Sequence, residues 1–253
     1  MIEALESSLK KLRLSGLLST LEVRLQEASS NRLNHAEFLE LILQDELLIR
    51  NERLIARRTK AACFQGFKTL DGFDFAFNPT IKKKQIFELA TCKFIRDAKD
   101  ILLVGPPGVG KSHLIQAIGL SAIKMGFTVL YSSIFNLVRE FLKDEAFSGE
   151  EKILAKYLKP DLLIIDDMGM RGLPKRSGEF LFEVIMRRHE NRSTVMTSNR
   201  PLEDWGKLMS DVPAATAILD RLMQYAEIIT ITGPSYRLKD NAIKEKKKEV
   251  PTT

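Results

Sequence analysis

The sequence predicts an α/β fold in which a parallel sheet of five strands carries helices on both faces and follows a domain made only of helices. Three observations support this prediction. From residue 101 onward, short apolar runs alternate with longer helical segments, as in βαβ units. Leucines recur at helical spacing through residues 1–66. The 44% of hydrophobic residues can fill a large core, and 14 Gly and 9 Pro among 253 residues are too few for a disordered chain.

This pattern divides the chain into three segments. Residues 1–66 are the expected helical domain, residues 67–238 the α/β domain, and residues 239–253 a basic, flexible tail. Within the helical domain, Asn34 is expected to cap a long helix together with the carboxylate of Glu37. No apolar run is long enough to span a membrane and the first residues lack a signal-peptide pattern, so a cytoplasmic protein is expected.

The α/β domain is expected to alternate strands with helices along the chain. The strands are short runs dominated by apolar residues, as in a parallel sheet that is buried on both faces: Ile101–Val104, Thr128–Ser132, Asp161–Ile165, Thr194–Ser198 and Glu227–Ile231. The segments with helical periodicity lie between them: Lys111–Met125, Phe135–Leu142, Gly178–His189 and Ala214–Met223.

A phosphate-binding loop is predicted between the first strand and the helix that follows it, where the chain matches G-x-x-x-x-G-K-S. Its glycines let backbone N–H groups turn toward phosphates, and the helix N-terminus adds a positive dipole. Lys111 is expected to reach the β- and γ-phosphates of ATP, and the Ser112 hydroxyl to ligate Mg²⁺. The residues expected to contact the nucleotide are Gly105, Pro106, Pro107, Gly108, Val109, Gly110, Lys111, Ser112 and the adjoining His113.

Polar residues follow two further strands at the edge of the sheet where ligands bind. Asp166 and Asp167 come directly after a buried apolar run; Asp166 is expected to hold Mg²⁺, and Asp167 to polarise an attacking water. Asn199 follows the next strand and allows two interpretations. It can hydrogen-bond the γ-phosphate or the water, or it can begin a turn with the arginine and proline that follow it.

Basic residues suggest a polyanionic partner, although a net charge of +6, from 39 Lys+Arg and 33 Asp+Glu, is weak support by itself. One face of the last turns of the long helix is basic, and a loop after the third strand adds two more cations. The candidate DNA contacts are Arg50, Arg53, Arg57, Arg58, Lys60, Lys175 and Arg176. A solvated helix face remains the alternative. No base-reading motif occurs, so any binding is expected to use backbone phosphates and to weaken with salt.

Together these segments resemble the AAA+ ATPases, and among them the IstB-like branch, which is close to the DnaC helicase loaders. The resemblance covers nearly the whole chain. It is carried by the phosphate-binding loop and by the segments Pro160–Asp167, Thr197–Pro201, Ile218–Leu222 and Ser235–Arg237. It implies that Asn199 is a sensor of the γ-phosphate, that Arg221 is an arginine finger reaching the site of an adjacent subunit, and that Arg237 contacts the nucleotide of its own subunit.

The resemblance also implies a function. It implies an ATPase that oligomerises on double-stranded DNA without sequence preference and delivers this DNA to a cognate transposase, with ATP hydrolysis driving release. Residues 1–66 would bind DNA or a partner. The alternative is a DnaC-type helicase loader. Two departures from the family are expected to matter: Asp167 replaces the usual Glu, which predicts slow turnover stimulated by DNA or a partner, and few residues follow Gly233, which predicts a reduced C-terminal lid.

Overall fold

A computed structural model describes residues 2–144, 150–209 and 211–238. The contacts divide the chain into two compact units, Met1–Arg58 and Thr59–Thr253. Residues 59–66 therefore belong to the second unit, where the backbone carbonyl of the fully buried Ala62 accepts a hydrogen bond from the Tyr131 amide over 2.8 Å. The tail expected at residues 239–253 lies outside the described residues.

The first unit consists of helices, as the leucine spacing predicts: α1 (Ile2–Lys11), α2 (Ser15–Asn31) and α3 (His35–Ala61), of which the last continues into the second unit. Its small core contains Leu9, Leu17 and Leu21. The predicted cap of α3 is confirmed. Asn34 Oδ1 accepts a hydrogen bond from the Glu37 amide over 3.0 Å, and Glu37 Oε2 accepts one from the Asn34 amide over 2.8 Å.

Two buried acids in α3 hold the unit together. Glu46 is 4% exposed, and its Oε2 accepts hydrogen bonds from the amides of Gly16 (2.7 Å) and Leu17 (3.0 Å) at the start of α2. It thereby caps a helix whose own N-cap residue makes no side-chain bond. Asp45 accepts two hydrogen bonds from Arg24 at 2.8 Å. Helical spacing predicts an apolar face of α3 that includes Leu48, but Leu48 is 58% exposed, because the buried acids face α2 instead.

The second unit confirms the predicted parallel sheet of five strands, which lie in the order β2-β3-β4-β1-β5. The strands are β1 (Ile101–Val104), β2 (Val129–Ser133), β3 (Leu162–Met168), β4 (Ser193–Ser198) and β5 (Glu227–Thr230). The helices are α4 (Lys83–Ala90), α5 (Lys93–Arg96), α6 (Lys111–Lys124), α7 (Ile134–Asp144), α8 (Glu150–Leu158), α9 (Ser177–Arg188), α10 (Trp205–Met209) and α11 (Val212–Tyr225).

Helices cover both faces of this sheet. On one face, Ile164 of β3 meets α6 so closely that a Cβ added to Gly119 would lie 2.9 Å from its Cδ1. On the other face, the neighbouring Leu163 and Ile165 belong to a core cluster that also contains residues of α7, α8, α9 and α11. This alternation follows from the strand geometry, which turns successive side chains to opposite faces.

Several elements were not predicted from sequence. Helices α4, α5, α8 and α10 are short, between 4 and 9 residues, and give too few turns for a periodic signal. Strand β3 continues through both acids to Met168 instead of ending at Ile165. After β5 the described chain contains a 3₁₀ turn at Tyr236–Leu238, and the residues that follow this turn lie outside the description. Within the described ranges, every helix is too short or too polar to span a bilayer.

Replacing Glu46 with alanine is expected to destabilise the first unit, because the amides of Gly16 and Leu17 would lose their acceptor at a cost of about 1–3 kcal/mol. Hydrogen exchange measured by mass spectrometry should then become faster in α2. The control is Glu40→Ala, which removes an exposed carboxylate of the same helix that bonds Gln44. Equal protection of α2 in both variants would contradict this role of Glu46.

Candidate nucleotide-binding site

A pocket of about 540 Å³ lies where the phosphate-binding loop meets the carboxyl ends of β3 and β4. Its size suits a small ligand. It brings together predicted site residues that are far apart in sequence: Pro107, Gly108, Val109, Gly110, Lys111, Ser112, His113, Asp167, Asn199 and Arg237. Gly105, Pro106, Asp166 and Arg221 do not line it. The carboxyl edge of the sheet is thus the place where the predicted residues converge.

The phosphate-binding loop follows β1 and ends where α6 begins at Lys111. Gly108 and Gly110 have φ angles of +84° and +102°, a region that favours glycine. Gly108 also has no room for a side chain, since an added Cβ would lie 2.0 Å from Ser235 Oγ. The Tyr236 amide donates a hydrogen bond to the Gly108 carbonyl over 2.9 Å. The C-terminal turn is therefore seated directly on the loop.

Lys111 joins the loop to β4. Its ammonium donates hydrogen bonds to the carbonyls of Gly105 (2.7 Å) and Pro106 (2.9 Å) and to Oδ1 of Asn199 (2.6 Å). The backbone amide of Asn199 donates a hydrogen bond of 2.8 Å to the Met168 carbonyl, which holds this residue in place. Burial lowers the pKa of Lys111 to about 8, although the charges of nearby acids oppose this shift. The lysine and the asparagine thus converge on one point of the pocket.

A β-bulge in β3 contains both acids and gives their side chains different surroundings. Ile165 pairs with Met196 and Met168 with Ser198, so three steps along β3 face two steps along β4. Asp167 lies in this interval with a φ of +67° and lines the pocket. Burial, followed by the charge of Asp166, raises the pKa of Asp167 above its usual range. The bulge therefore directs one carboxylate into the pocket and leaves the other within the sheet.

Asp166 is 1% exposed and is surrounded by donors. Its Oδ2 accepts a hydrogen bond from the Tyr131 hydroxyl over 2.6 Å. Its Oδ1 accepts one from the Thr197 hydroxyl and one from the Asp167 amide, the latter over 2.9 Å. Burial, and then the charge of Asp166, raises the pKa of Tyr131 far above its usual range, so this phenol remains a donor. Sequence patterns had not indicated either hydroxyl.

The two predicted arginines occupy different places. Arg237 is exposed in the C-terminal turn and lines the pocket. Arg221 lies on α11, is half-buried, and its guanidinium is 3.5 Å from Gln224 Oε1. Within one chain, only Arg237 of this pair reaches the pocket.

A wall of the pocket comes from residues that sequence reasoning did not assign to the site. The segment before α4 contributes Phe73, Phe77 and Asn78, and Tyr236 packs edge-on against Phe77 with ring centroids 5.0 Å apart. His113 fits the same wall, since its Nε2 lies 2.8 Å from the Thr69 carbonyl. The signal in the sequence was the density of Phe between residues 64 and 79, which indicated packing but not a ligand.

Three of the predicted basic contacts bond other side chains of the chain. Arg50 pairs with Glu46 (2.6 Å), Arg53 donates to the Ser15 hydroxyl, and Arg176 pairs with Glu179 (3.2 Å). The other candidates are the exposed Arg57, Lys60 and Lys175 and the half-buried Arg58. Part of the basic character thus stabilises the fold.

Comparison with known proteins identifies the family. The profile of the family described as "IstB-like ATP binding protein" matches residues 7–244. The chain belongs to this IstB-like family. A protein named as the ATP-binding protein of insertion sequence IS5376 of Geobacillus stearothermophilus is 36% identical over 222 residues, 88% of either chain. The corresponding protein of insertion sequence IS21 of Pseudomonas aeruginosa is also 36% identical, over 93% of this chain and 89% of its own.

Solved structures share the fold of the IstB-like chain. DnaA from Aquifex aeolicus bound to AMPPCP matches with a TM-score of 0.56 and 22% identity, over 74% of this chain and 57% of that one. The crystal structure of DnaI matches with a TM-score of 0.55 and 22% identity, over 65% of this chain and 91% of that one. The predicted fold, a parallel sheet of five strands with helices on both faces, is therefore confirmed.

The donor set fits Mg²⁺ held together with phosphates and not by a protein cage. No cluster of three or more His, Cys, Asp or Glu suited to a metal occurs among the residues that the structure describes. Mg²⁺ characteristically uses one or two carboxylates, waters and substrate phosphates. The hydroxyl of Ser112 in the pocket and the buried carboxylate of Asp166, next in sequence to the pocket residue Asp167, provide such a limited set.

The lowered pKa of Lys111 predicts that ATP binding takes up a proton at alkaline pH. The phosphates favour the charged ammonium, so affinity should fall by up to about tenfold per unit as pH rises above about 8. Calorimetry between about pH 7 and pH 9.5, in buffers of different ionisation enthalpy, measures both effects. Lys111→Arg is the control because a guanidinium stays charged throughout. An equally steep decline in that variant would refute the assignment to Lys111.

Proposed function

We propose that this IstB-like protein is an ATPase that oligomerises on double-stranded DNA. One observation carries the proposal: the sheet edge joins the phosphate-binding loop, Lys111, Asn199, Asp167 and Arg237 around a single pocket. A small-molecule kinase would need a binding site for an acceptor and would leave the converging polar groups from β3, β4 and the C-terminal turn unexplained.

Each group has a distinct task in hydrolysis. The loop amides and Lys111 bind the β- and γ-phosphates, and Arg237 adds charge at the γ-phosphate. Asp167 orients the attacking water and accepts its proton, which its raised pKa favours. Asn199 fixes the position of the Lys111 ammonium and of the water. Ser112 and Asp166 would hold Mg²⁺, which neutralises phosphate charge when bound.

Slow turnover is part of the proposal. Asp167 is one methylene shorter than the Glu that is common in the family, and the β-bulge determines where its carboxylate lies. A small displacement of a base costs much of its catalytic effect. We therefore expect ATP to act mainly as an assembly signal, with DNA or a partner accelerating hydrolysis and release.

Completion of the site by a second subunit is also proposed. Arg221 does not line the pocket of its own chain, yet a permanently charged guanidinium at the γ-phosphate is a recurrent requirement of such ATPases. An arginine on α11 of the adjacent protomer can meet it. This arrangement makes activity depend on a homo-oligomer.

Mixing two inactive variants tests the arrangement. Lys111→Ala subunits lack a working pocket but keep Arg221, and Arg221→Ala subunits have the opposite defect. Their equimolar mixture is expected to recover about a quarter of wild-type ATPase activity, the fraction of interfaces with the productive pairing. A mixture of Lys111→Ala with Asp167→Asn should recover none, because both changes damage the same pocket. Full activity of Arg221→Ala by itself would exclude the trans role.

DNA is the proposed polyanion, and delivery of that DNA to a transposase the proposed purpose. The relatives named above are proteins of insertion sequences, which supports this assignment. Residues 1–66 would engage DNA or a partner, and residues 67–238 would supply the ATPase. Arg57, Lys60 and Lys175 are exposed cations that can contact backbone phosphates without reading sequence.

The double variant Arg53→Ala/Arg57→Ala is expected to weaken duplex binding by at least about tenfold and to lower the salt slope by about 2, because two phosphate contacts are lost. Fluorescence anisotropy with ATP present, at several salt concentrations, measures both. Lys93→Ala/Lys99→Ala removes two exposed charges beside the amino end of β1 and should have little effect. Ser15→Ala controls for the hydrogen bond from Arg53.

Two other results would contradict the proposal. Duplex affinity that is the same with and without ATP, and unchanged in the double variant, would remove the DNA-binding role from this helix. Preference for single-stranded DNA together with capture of a replicative helicase would favour a DnaC-type loader. Electron microscopy of the protein on duplex DNA, with and without a non-hydrolysable ATP analogue, shows directly whether assembly requires ATP.

A further inference from the structure

We propose that Tyr131 and Thr197 are positioning residues that hold Asp166 for Mg²⁺. The inference rests on the proposed ATPase function and concerns residues outside its motifs. Asp166 is 1% exposed, and its two oxygens accept hydrogen bonds from the hydroxyls of two neighbouring strands, Tyr131 on β2 and Thr197 on β4. Since β3 lies between these strands, the carboxylate is held from both sides.

The geometry limits what Asp166 can still bind. A carboxylate has about four acceptor positions on its two oxygens. Three are used: Oδ1 accepts from the Thr197 hydroxyl and the Asp167 amide, and Oδ2 accepts from the Tyr131 hydroxyl. One position on Oδ2 remains. It matches a single hydrogen bond from a water of the Mg²⁺ shell and excludes coordination through both oxygens.

The chemistry of the two donors supports a role toward a cation. A buried carboxylate requires hydrogen bonds, and a lysine or arginine could have provided them. Such a partner would also have cancelled much of the negative charge that attracts Mg²⁺. The hydroxyls of Tyr131 and Thr197 orient Asp166 through hydrogen bonds and bring no positive charge to it.

Both positioning residues are themselves fixed. Tyr131 is 4% exposed, its amide donates to the Ala62 carbonyl over 2.8 Å, and its ring packs edge-on against Phe64. Thr197 is 1% exposed, and its hydroxyl oxygen also accepts a hydrogen bond from the Asp167 amide over 3.1 Å. Thr197 thus contacts both acids of the bulge, which ties the metal-binding carboxylate to the one that lines the pocket.

The test compares two tyrosine-to-phenylalanine variants. Tyr131→Phe removes the hydroxyl next to Asp166. Tyr157→Phe is the matched control. It removes a hydroxyl that donates a hydrogen bond of 3.0 Å to the Glu140 carboxylate, and neither of these residues lines the pocket. Binding of a fluorescent ATP analogue is measured in EDTA and then across a Mg²⁺ titration. The Mg²⁺ dependence of ATP hydrolysis is measured in parallel.

Tyr131→Phe is expected to raise the half-saturating Mg²⁺ concentration about tenfold in both assays, as loss of an outer-shell partner typically does. Affinity for the analogue in EDTA should stay within about twofold of wild type. Tyr157→Phe should leave all three quantities unchanged. Equal Mg²⁺ dependence in Tyr131→Phe and wild type, or an equal shift in the control, would overturn the inference.

Threonine variants keep the test decisive if Tyr131→Phe folds poorly. Thr197→Val keeps the shape of the side chain and loses the hydroxyl, so it should also raise the Mg²⁺ requirement. Thr197→Ser restores the hydroxyl and should return that requirement toward wild type. Identical Mg²⁺ titrations for Val and Ser at this position would contradict the role of the hydroxyl.

The binding assay separates this inference from the proposed function. If the wild-type protein binds the analogue more tightly with Mg²⁺ but hydrolyses no ATP, the ATPase proposal fails while the roles of Tyr131 and Thr197 are still measured. If Mg²⁺ does not change nucleotide binding at all in the wild type, the assignment of Asp166 and its two donors is refuted.

Discussion

A carboxylate buried inside a sheet needs hydrogen-bond donors around it, and the organisation of this site depends on how Asp166 obtains them. Its partners come from β2 and β4, so the three strands must lie in one register for the bonds to form. Within the β-bulge, the Asp167 amide donates a further hydrogen bond to Asp166, and the Asp167 side chain lines the pocket. The register of β2, β3 and β4 therefore determines the positions of both Asp166 and Asp167.

Sequence was most informative where one short segment contains the whole signal. The phosphate-binding loop, the capping pair Asn34 and Glu37, and the apolar runs of the five strands are all of this kind. The bulge and the hydroxyl of Tyr131 were not predictable, because they depend on how β2, β3 and β4 align across gaps of about 30 residues. The aromatic wall at residues 73–78 was visible as composition but not as a site.

Charge patterns were misleading for a related reason. A helical projection of α3 shows which arginines share a face, but it does not show that Arg50 and Arg53 bond Glu46 and Ser15. It also places leucines toward the core where the structure buries Asp45 and Glu46. In a small helical unit with few buried apolar residues, paired charges make up part of what holds the helices together. An arginine on a helix surface can therefore be considered as a DNA contact only after its bonds within the chain are known.

The close contact between Ser235 and Gly108 limits which segments can be exchanged between related proteins. The phosphate-binding loop and the C-terminal turn pack so closely that a Cβ added to Gly108 would lie 2.0 Å from Ser235 Oγ. The two segments lie far apart in the sequence, yet neither can be exchanged alone. Chimeras built from diverged relatives will retain a working loop only when both segments come from the same parent.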